Sequence, residues 1–290
     1  MKTETTSTPA AVRSQVMAKA LLFGPAPAFT SMLLGAIQNP DADVPRIVNA
    51  MRLDPGLTAN VLRLANSAFF GMPRSVSSVN EAVVRLGTKR ILDLIVATGL
   101  RAHLSKPLPG YGLAANNLLQ HALWVAAAAE ALCTELDLST PDMLFTAGIL
   151  HDIGKLLLSD AVAANSASME AYMQREHVSF DRAEEAILGM NHAQAGAAVL
   201  DRWEFPKAMV DAVRLHHDPE HEPASDVAAA IIHVADSLAY VQGVGSGIDG
   251  LRYIACETTM RRIGITHSAL EYVASVTLDR MVELEEILRY

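Results

Sequence analysis

No stretch of this chain alternates apolar and polar residues for long enough to make a convincing β-strand; its apolar residues recur at intervals of three and four instead. Val44, Ile47, Val48 and Met51 form one such stripe, and Leu57, Val61, Leu64 and Ala65 another. A third runs through Ala82, Val83 and Leu86 and continues across Gly87 to Ile91, Leu94 and Ile95, behind a capping box of Ser77 or Ser78 with Glu81. A helix with one apolar stripe must bury it against other helices, so the chain is expected to be all-α. Composition agrees: 51% of residues are hydrophobic but only 5% aromatic, which favours helices over sheets.

Proline and turn residues divide the pattern. Residues 1–17 are rich in Thr, Ser and Ala, have no apolar core of a secretory signal, and read as a flexible tail. Residues 18–105 carry short helical patterns separated by Pro25, Pro27, Asn39-Pro40-Asp41, Asp54-Pro55-Gly56 and Gly71-Met72-Pro73. Residues 106–112, with two prolines and two glycines, are expected to form a linker without a regular element. Residues 113–290 carry longer patterns, predicted over about 114–136, 141–159, a stretch ending near Gly189, 191–203, 206–217, 227–241, and further helix after 251.

Function classes can also be narrowed. The net charge of -9 has the wrong sign for a protein held to nucleic acid by broad phosphate contacts, and Arg85, Lys89 and Arg90 read as a solvated face. No apolar run reaches the length of a membrane span, and Cys133 and Cys256 are too few for a disulfide framework. The expected location is a reducing cytoplasm.

The polar residues on the apolar faces carry the chemistry. His121 shares a face with Val125, Ala128 and Leu132; His151 continues the stripe of Leu144 and Gly148, with Asp152 next to it. His192 opens a helix whose inner side holds Gly196 and Val199, His216 and His217 follow the stripe of Met209 and Val213, and Asp236 lies four after Ile232. Burying five imidazoles and two carboxylates without partners would cost several kcal/mol per ionised group, against a total stability of about 5 to 15 kcal/mol. This donor set suits a first-row divalent metal, Fe or Mn better than Zn, with one or two ions expected. Gly243 to Gly247 reads as a flexible connection, because it follows a helix and lacks the Lys-Ser/Thr of a phosphate loop. His103, His177, His221, His233 and His267 show no constellation and read as surface or structural residues.

Leu150-His151-Asp152-Ile153-Gly154-Lys155, with His121 before it and Asp236 after it, resembles the HD superfamily of metal-dependent phosphohydrolases. Asn191-His192-Ala193-Gln194-Ala195-Gly196 and Leu215-His216-His217-Asp218 resemble further motifs of its two-metal HD-GYP branch. Asp54-Pro55-Gly56-Leu57-Thr58, Leu62 to Gly71 and Ala82 to Gly87 are similar to the HDOD family, the HD-related output domains of bacterial signalling. On this resemblance, residues 18–105 are an HDOD N-terminal subdomain and 113–290 an HD-type metal-binding bundle. The resemblance implies one metal held by His121, His151, Asp152 and Asp236, and a second by Asp152, His192, His216 and His217. It implies catalytic roles for Asp152 and for Lys155, the latter at the rim as a phosphate contact.

The Gly-Tyr-Pro motif of HD-GYP enzymes is replaced by Asp218-Pro219-Glu220, so cyclic di-GMP is expected to be hydrolysed poorly or not at all. The function expected is that of a signalling regulator with a protein partner, with a nucleotide or phosphate ligand as a further expectation. The alternative is an active two-metal phosphohydrolase acting on a nucleotide or cyclic dinucleotide, with no separate organic cofactor.

Overall fold

The computed structural model describes residues 8–22, 55–66, 75–139, 144–220, 227–250 and 256–288. The stripe at Val44 to Met51 and the motif residues Ser67 to Gly71 lie outside them, as does His221. The described residues are all-α: α1 (Pro9–Leu22), α2 (Pro55–Ala65), α3 (Val79–Leu104), α4 (Asn117–Glu135), α5 (Leu144–Leu150), α6 (Lys155–Glu176), α7 (Phe180–Leu188), α8 (His192–Arg202), α9 (Lys207–Leu215), α10 (Val227–Val241), α11 (Glu257–Arg262) and α12 (His267–Leu288). Among them the only extended pairing is a single bridge between Leu108 and Leu113. None of the described helices is long and apolar enough to cross a membrane.

α4 organises the core. Its residues from Ala122 to Ala129 are all buried, which is how a helix apolar on every side must sit. α5, α10 and α12 pack around it. Its alanines permit close approach: a Cβ on Gly148 of α5 would stand 2.7 Å from Ala126 Cα. This packing places His121 of α4, the end of α5 and Asp236 of α10 side by side.

Three expectations need correction. Residues 9–17, read from sequence as part of a flexible tail, belong to α1, whose Val12 and Val16 are buried in the core. The pattern over 141–159 is not one helix but two, because residues 151–154 form a turn between α5 and α6. Ile153 N–H donates to Leu150 O at 3.1 Å and Lys155 N–H to Asp152 O at 3.0 Å, bonds of a tightened turn rather than an α-helix. Consecutive helical residues point about 100° apart, whereas this turn aims His151 and Asp152 at one centre. The segment 106–112 does contain a regular element, a 3-10 turn over Pro109–Tyr111 closed by Gly112 in the left-handed region (φ 68). Leu108, Gly110, Tyr111 and Leu113 are buried there, and the apolar core runs continuously on both sides.

α3 keeps its stripe across a kink at Gly87, whose φ of 80 and ψ of 162 are not helical. Ser78 is its cap, accepting from Glu81 N–H at 3.2 Å, while the Glu81 carboxylate accepts from Ser77 N–H at 2.9 Å. Further along, Asp93 is fully buried. Its Oδ1 accepts the Thr146 hydroxyl of α5 at 2.6 Å, and Arg90, read from sequence as solvated, lies 3.9 Å from its Oδ2 while also pairing with Glu130 of α4.

Burial raises the Asp93 carboxyl to about 7, above the carboxylate range of an unfolded chain. The native state therefore keeps a proton that the unfolded chain releases. This contribution is complete below about pH 4 and is lost as pH rises to about 7, at roughly 1.4 kcal/mol per unit. Asp93→Asn should remove that dependence, so urea midpoints at about pH 5 and about pH 8 should diverge between wild type and variant. Parallel changes in both proteins would refute it.

Candidate metal centre

His121, His151 and Asp236 form one group of potential ligands, and His192, His216 and His217 another; within each, the ligand atoms lie within 4.8 Å of one another. His121 Nε2 is 2.9 Å from Asp236 Oδ1, and His151 Nε2 is 3.7 Å from the same oxygen. Asp152 stands between the groups. Its Oδ2 faces His121 Nε2 at 3.5 Å and His151 Nε2 at 3.3 Å, while its Oδ1 faces His192 Nε2 at 3.3 Å and His216 Nε2 at 4.0 Å. All of these side chains are at most 2% exposed, except the half-buried His217.

The other ring nitrogen of each imidazole decides what Nε2 can do. Nδ1 of His121, His151 and His216 meets the backbone oxygens of Val244 (3.0 Å), Gly148 (2.7 Å) and Val213 (2.7 Å). A carbonyl only accepts, so each Nδ1 carries the proton, and in the neutral ring Nε2 presents its lone pair to the centre. His192 Nδ1 is held in the same way by Glu184 Oε2 at 2.6 Å. The buried Nε2 atoms of His151 and His216 and the Oδ2 of Asp236 make no aligned hydrogen bond. His192 Nε2 and His217 Nε2 approach to 2.7 Å, a repulsive pairing unless a proton or a cation lies between them. Buried lone pairs and carboxylates converging without enough protons fit a divalent cation, and the residues present are the donors it would need.

Electrostatics point the same way for His216 and His217. Burial, with the imidazoles of His151 and His192 beside it, pushes His216 down to about 3, and burial next to His216 pushes His217 well below the ordinary range. Both are neutral, as coordination requires. His151 differs: burial opposes its charge, but Asp152 and Asp236 outweigh it and raise the ring to about 10, so a bound cation would displace the proton on its Nε2. For Asp152 burial raises the pKa, yet His151 and Lys155 hold it well below the usual carboxylate range.

Lys155 departs from expectation. It is 2% exposed rather than at the rim. Its Nζ contacts Asp152 Oδ2 at 2.6 Å, Asp249 Oδ2 at 2.5 Å and Tyr240 OH at 3.1 Å, and lies 5.6 Å from the centre of the Tyr111 ring.

Four participants were missed from sequence: Glu184, Asp249, Tyr111 and Tyr240. Glu184 is fully buried, accepting from His192 N–H at 3.0 Å, from His192 Nδ1 and from Tyr111 OH at 2.5 Å. A signal existed, since Glu184 lies four residues after Phe180 and four before Leu188 on a buried face. Asp249 had none, because it stands in a turn where no period applies. His233 is structural: Nδ1 donates to His216 O at 2.7 Å and Nε2 accepts from Cys256 N–H at 2.8 Å.

A bundle of helices around a buried His/Asp cluster of metal-ligating chemistry defines the class. Residues 24–219 match the HDOD domain, and the chain belongs to the HDOD family. It is 24% identical over 188 residues to an uncharacterised protein of Treponema pallidum (strain Nichols), covering 65% of this chain and 36% of that protein. It is 28% identical over 170 residues to Ribonuclease Y of Thermus thermophilus, covering 58% of this chain and 24% of that one. The alignments thus span about a quarter to a third of those relatives. Among solved structures, an HDOD domain protein of unknown function from Geobacter sulfurreducens superposes with a TM-score of 0.72 at 22% identity, covering 95% of this chain and 99% of that one. A Shewanella amazonensis protein, provisionally named a phosphohydrolase, does so with 0.69 at 23% identity, covering 95% and 98%. At these identities the likeness is one of fold.

Proposed function

We propose that the protein is a bacterial signal-transduction regulator that holds one or two divalent transition ions, Fe or Mn, in an enclosed His/Asp centre and acts through contacts with a protein partner. The observation that carries this reading is that a complete ligand set coexists with near-total burial. Six of the seven candidate ligands are at most 2% exposed, and Lys155 has its ammonium already committed. His121, His151, Asp152 and Asp236 would hold one ion, and Asp152, His192, His216 and His217 the other.

A second reading, a two-metal phosphohydrolase acting on a nucleotide or cyclic dinucleotide, is favoured by Asp152, whose two oxygens each face a different imidazole group. Bound ions would supply Lewis-acid polarisation of a phosphate ester and neutralise its charge during displacement. Glu184 and the backbone oxygens of Gly148, Val213 and Val244 fix the imidazoles, so the chain itself provides orientation. The net charge of -9 favours small phosphate esters over long nucleic acid as the ligand.

Metal analysis of protein purified without added metal, followed by a phosphodiesterase assay in Mn or Fe, separates these readings. The expected result is at least one equivalent of transition metal with little or no turnover of cyclic di-GMP or of a generic phosphodiester. Rapid metal-dependent turnover would overturn the regulator in favour of the enzyme, and metal at the level of a surface-histidine control would overturn both.

A further inference from the structure

The glycine-rich segment after α10 contributes to the centre in a way its sequence does not suggest. Its first residues are tied to the helix: Gly243 N–H donates to Tyr240 O at 3.1 Å and Val244 N–H to Ala239 O at 3.0 Å, an ordinary helix stop with Gly243 at φ 70. From Gly245, at φ 58, the chain turns over the centre. A Cβ on Gly245 would stand 2.8 Å from His121 Cβ, one on Gly247 would collide with Tyr111 O, and one on Gly250 would strike the Tyr240 ring. Ile248 N–H then donates to Tyr111 O at 2.9 Å, and Asp249 reaches Lys155 and Tyr240.

An ammonium has three N–H donors. In Lys155 two of them go to Tyr240 OH and Asp249 Oδ2, while Asp152 Oδ2 lies 2.6 Å away as an ion pair without an aligned hydrogen bond. Lys155 is 2% exposed and closed in by these three oxygens, so an anion gains room at its ammonium once one of them leaves. Asp152 belongs to the ligand set and Tyr240 to a helix, whereas Asp249 is carried by a turn. The closed turn is also under-satisfied, because Asp249 Oδ1 and Ser246 Oγ are buried without hydrogen-bond partners.

We propose that residues 245–250 are an autoinhibitory strap: the Asp249 carboxylate occupies, on the Lys155 ammonium, the place of a phosphate oxygen, and phosphate-bearing ligands reach the centre only when the strap lifts. This deepens the reading of the metal centre as a site for a phosphate ligand and rests on it for the identity of that ligand. Because Val244 is anchored to α10, lifting 245–250 leaves the Val244 O to His121 Nδ1 contact in place.

The test compares wild type with Asp249→Asn, which weakens the latch, and Gly247→Ala, which forces the turn away from Tyr111. Trace acylation with acetic anhydride, read by mass spectrometry at Lys155 against the exposed Lys106 and Lys207, reports the strap without any metal. Lys155 should be acylated about tenfold faster in both variants than in wild type. Inorganic phosphate, titrated into Mn-loaded protein freed of excess metal, should bind about tenfold more tightly to both variants. Unchanged Lys155 reactivity in both variants would overturn the strap. Faster acylation without tighter phosphate binding would overturn the claim that Asp249 stands in for an anion. If wild type holds no metal, the metal reading fails while the acylation measurement still decides the strap.

Discussion

Asp152→Ala should lose more metal than either His121→Ala or His192→Ala. Its Oδ2 faces His121 and His151 while its Oδ1 faces His192 and His216, so one substitution removes a donor from both groups, whereas each histidine serves one. An ion bound to the native state at a thousandfold above its dissociation constant contributes about 4 kcal/mol, so the melting temperature of metal-loaded protein should fall markedly. In chelator-treated protein the gap between wild type and variant should narrow. It should not reverse, because Lys155 also loses a carboxylate partner and keeps only Asp249 and Tyr240. Equal destabilisation with and without chelator, with metal content unmoved, would show that Asp152 serves only as the partner of Lys155.

Gly154→Ala should have an effect of similar size by a different route. Gly154 ends the His151-Asp152 turn where it crosses the start of α8, and a Cβ there would collide with His192 O and stand 2.7 Å from Gly196 N. Both obstacles are backbone, so neither can rotate away. Relief requires the start of α6 to separate from α8, which carries Asp152 away from His192. Overpacking of this kind costs about 1 to 3 kcal/mol or more. The expected result is a lower urea midpoint together with weaker metal retention, since the displaced elements carry ligands of both groups. A lower midpoint with wild-type metal content would mean that the turn keeps its place and the strain is absorbed elsewhere.

The difference between these two variants bears on how the centre is built. Asp152 supplies a donor; Gly154 supplies the absence of a side chain. The cluster depends on close helix contacts at Gly148 and Gly154 as much as on its ligands, because imidazole and carboxylate atoms within 4.8 Å of one another require the backbones behind them to approach closely.

Periodicity alone established the all-helical class, and it placed His121, His192 and Asp236 on the inner sides of their helices, because the side that a residue occupies is a property of its own helix. The same logic exposes Glu184 in retrospect, at the middle of the Phe180 to Leu188 stripe. Which inner faces meet was decided only by the tertiary structure. His121 and Asp236 are 115 positions apart, and Lys155 lies 94 positions from Asp249. The break at residues 151–154 was equally invisible, since the helical pattern runs through it and the turn lies where Gly154 meets the backbone of α8, a contact between distant segments. Lys155 is the clearest case: a lysine beside a turn reads as solvated until carboxylates and a phenol from other parts of the chain enclose its charge. Local sequence specifies the direction of a side chain, and only the packing of distant segments specifies its partner.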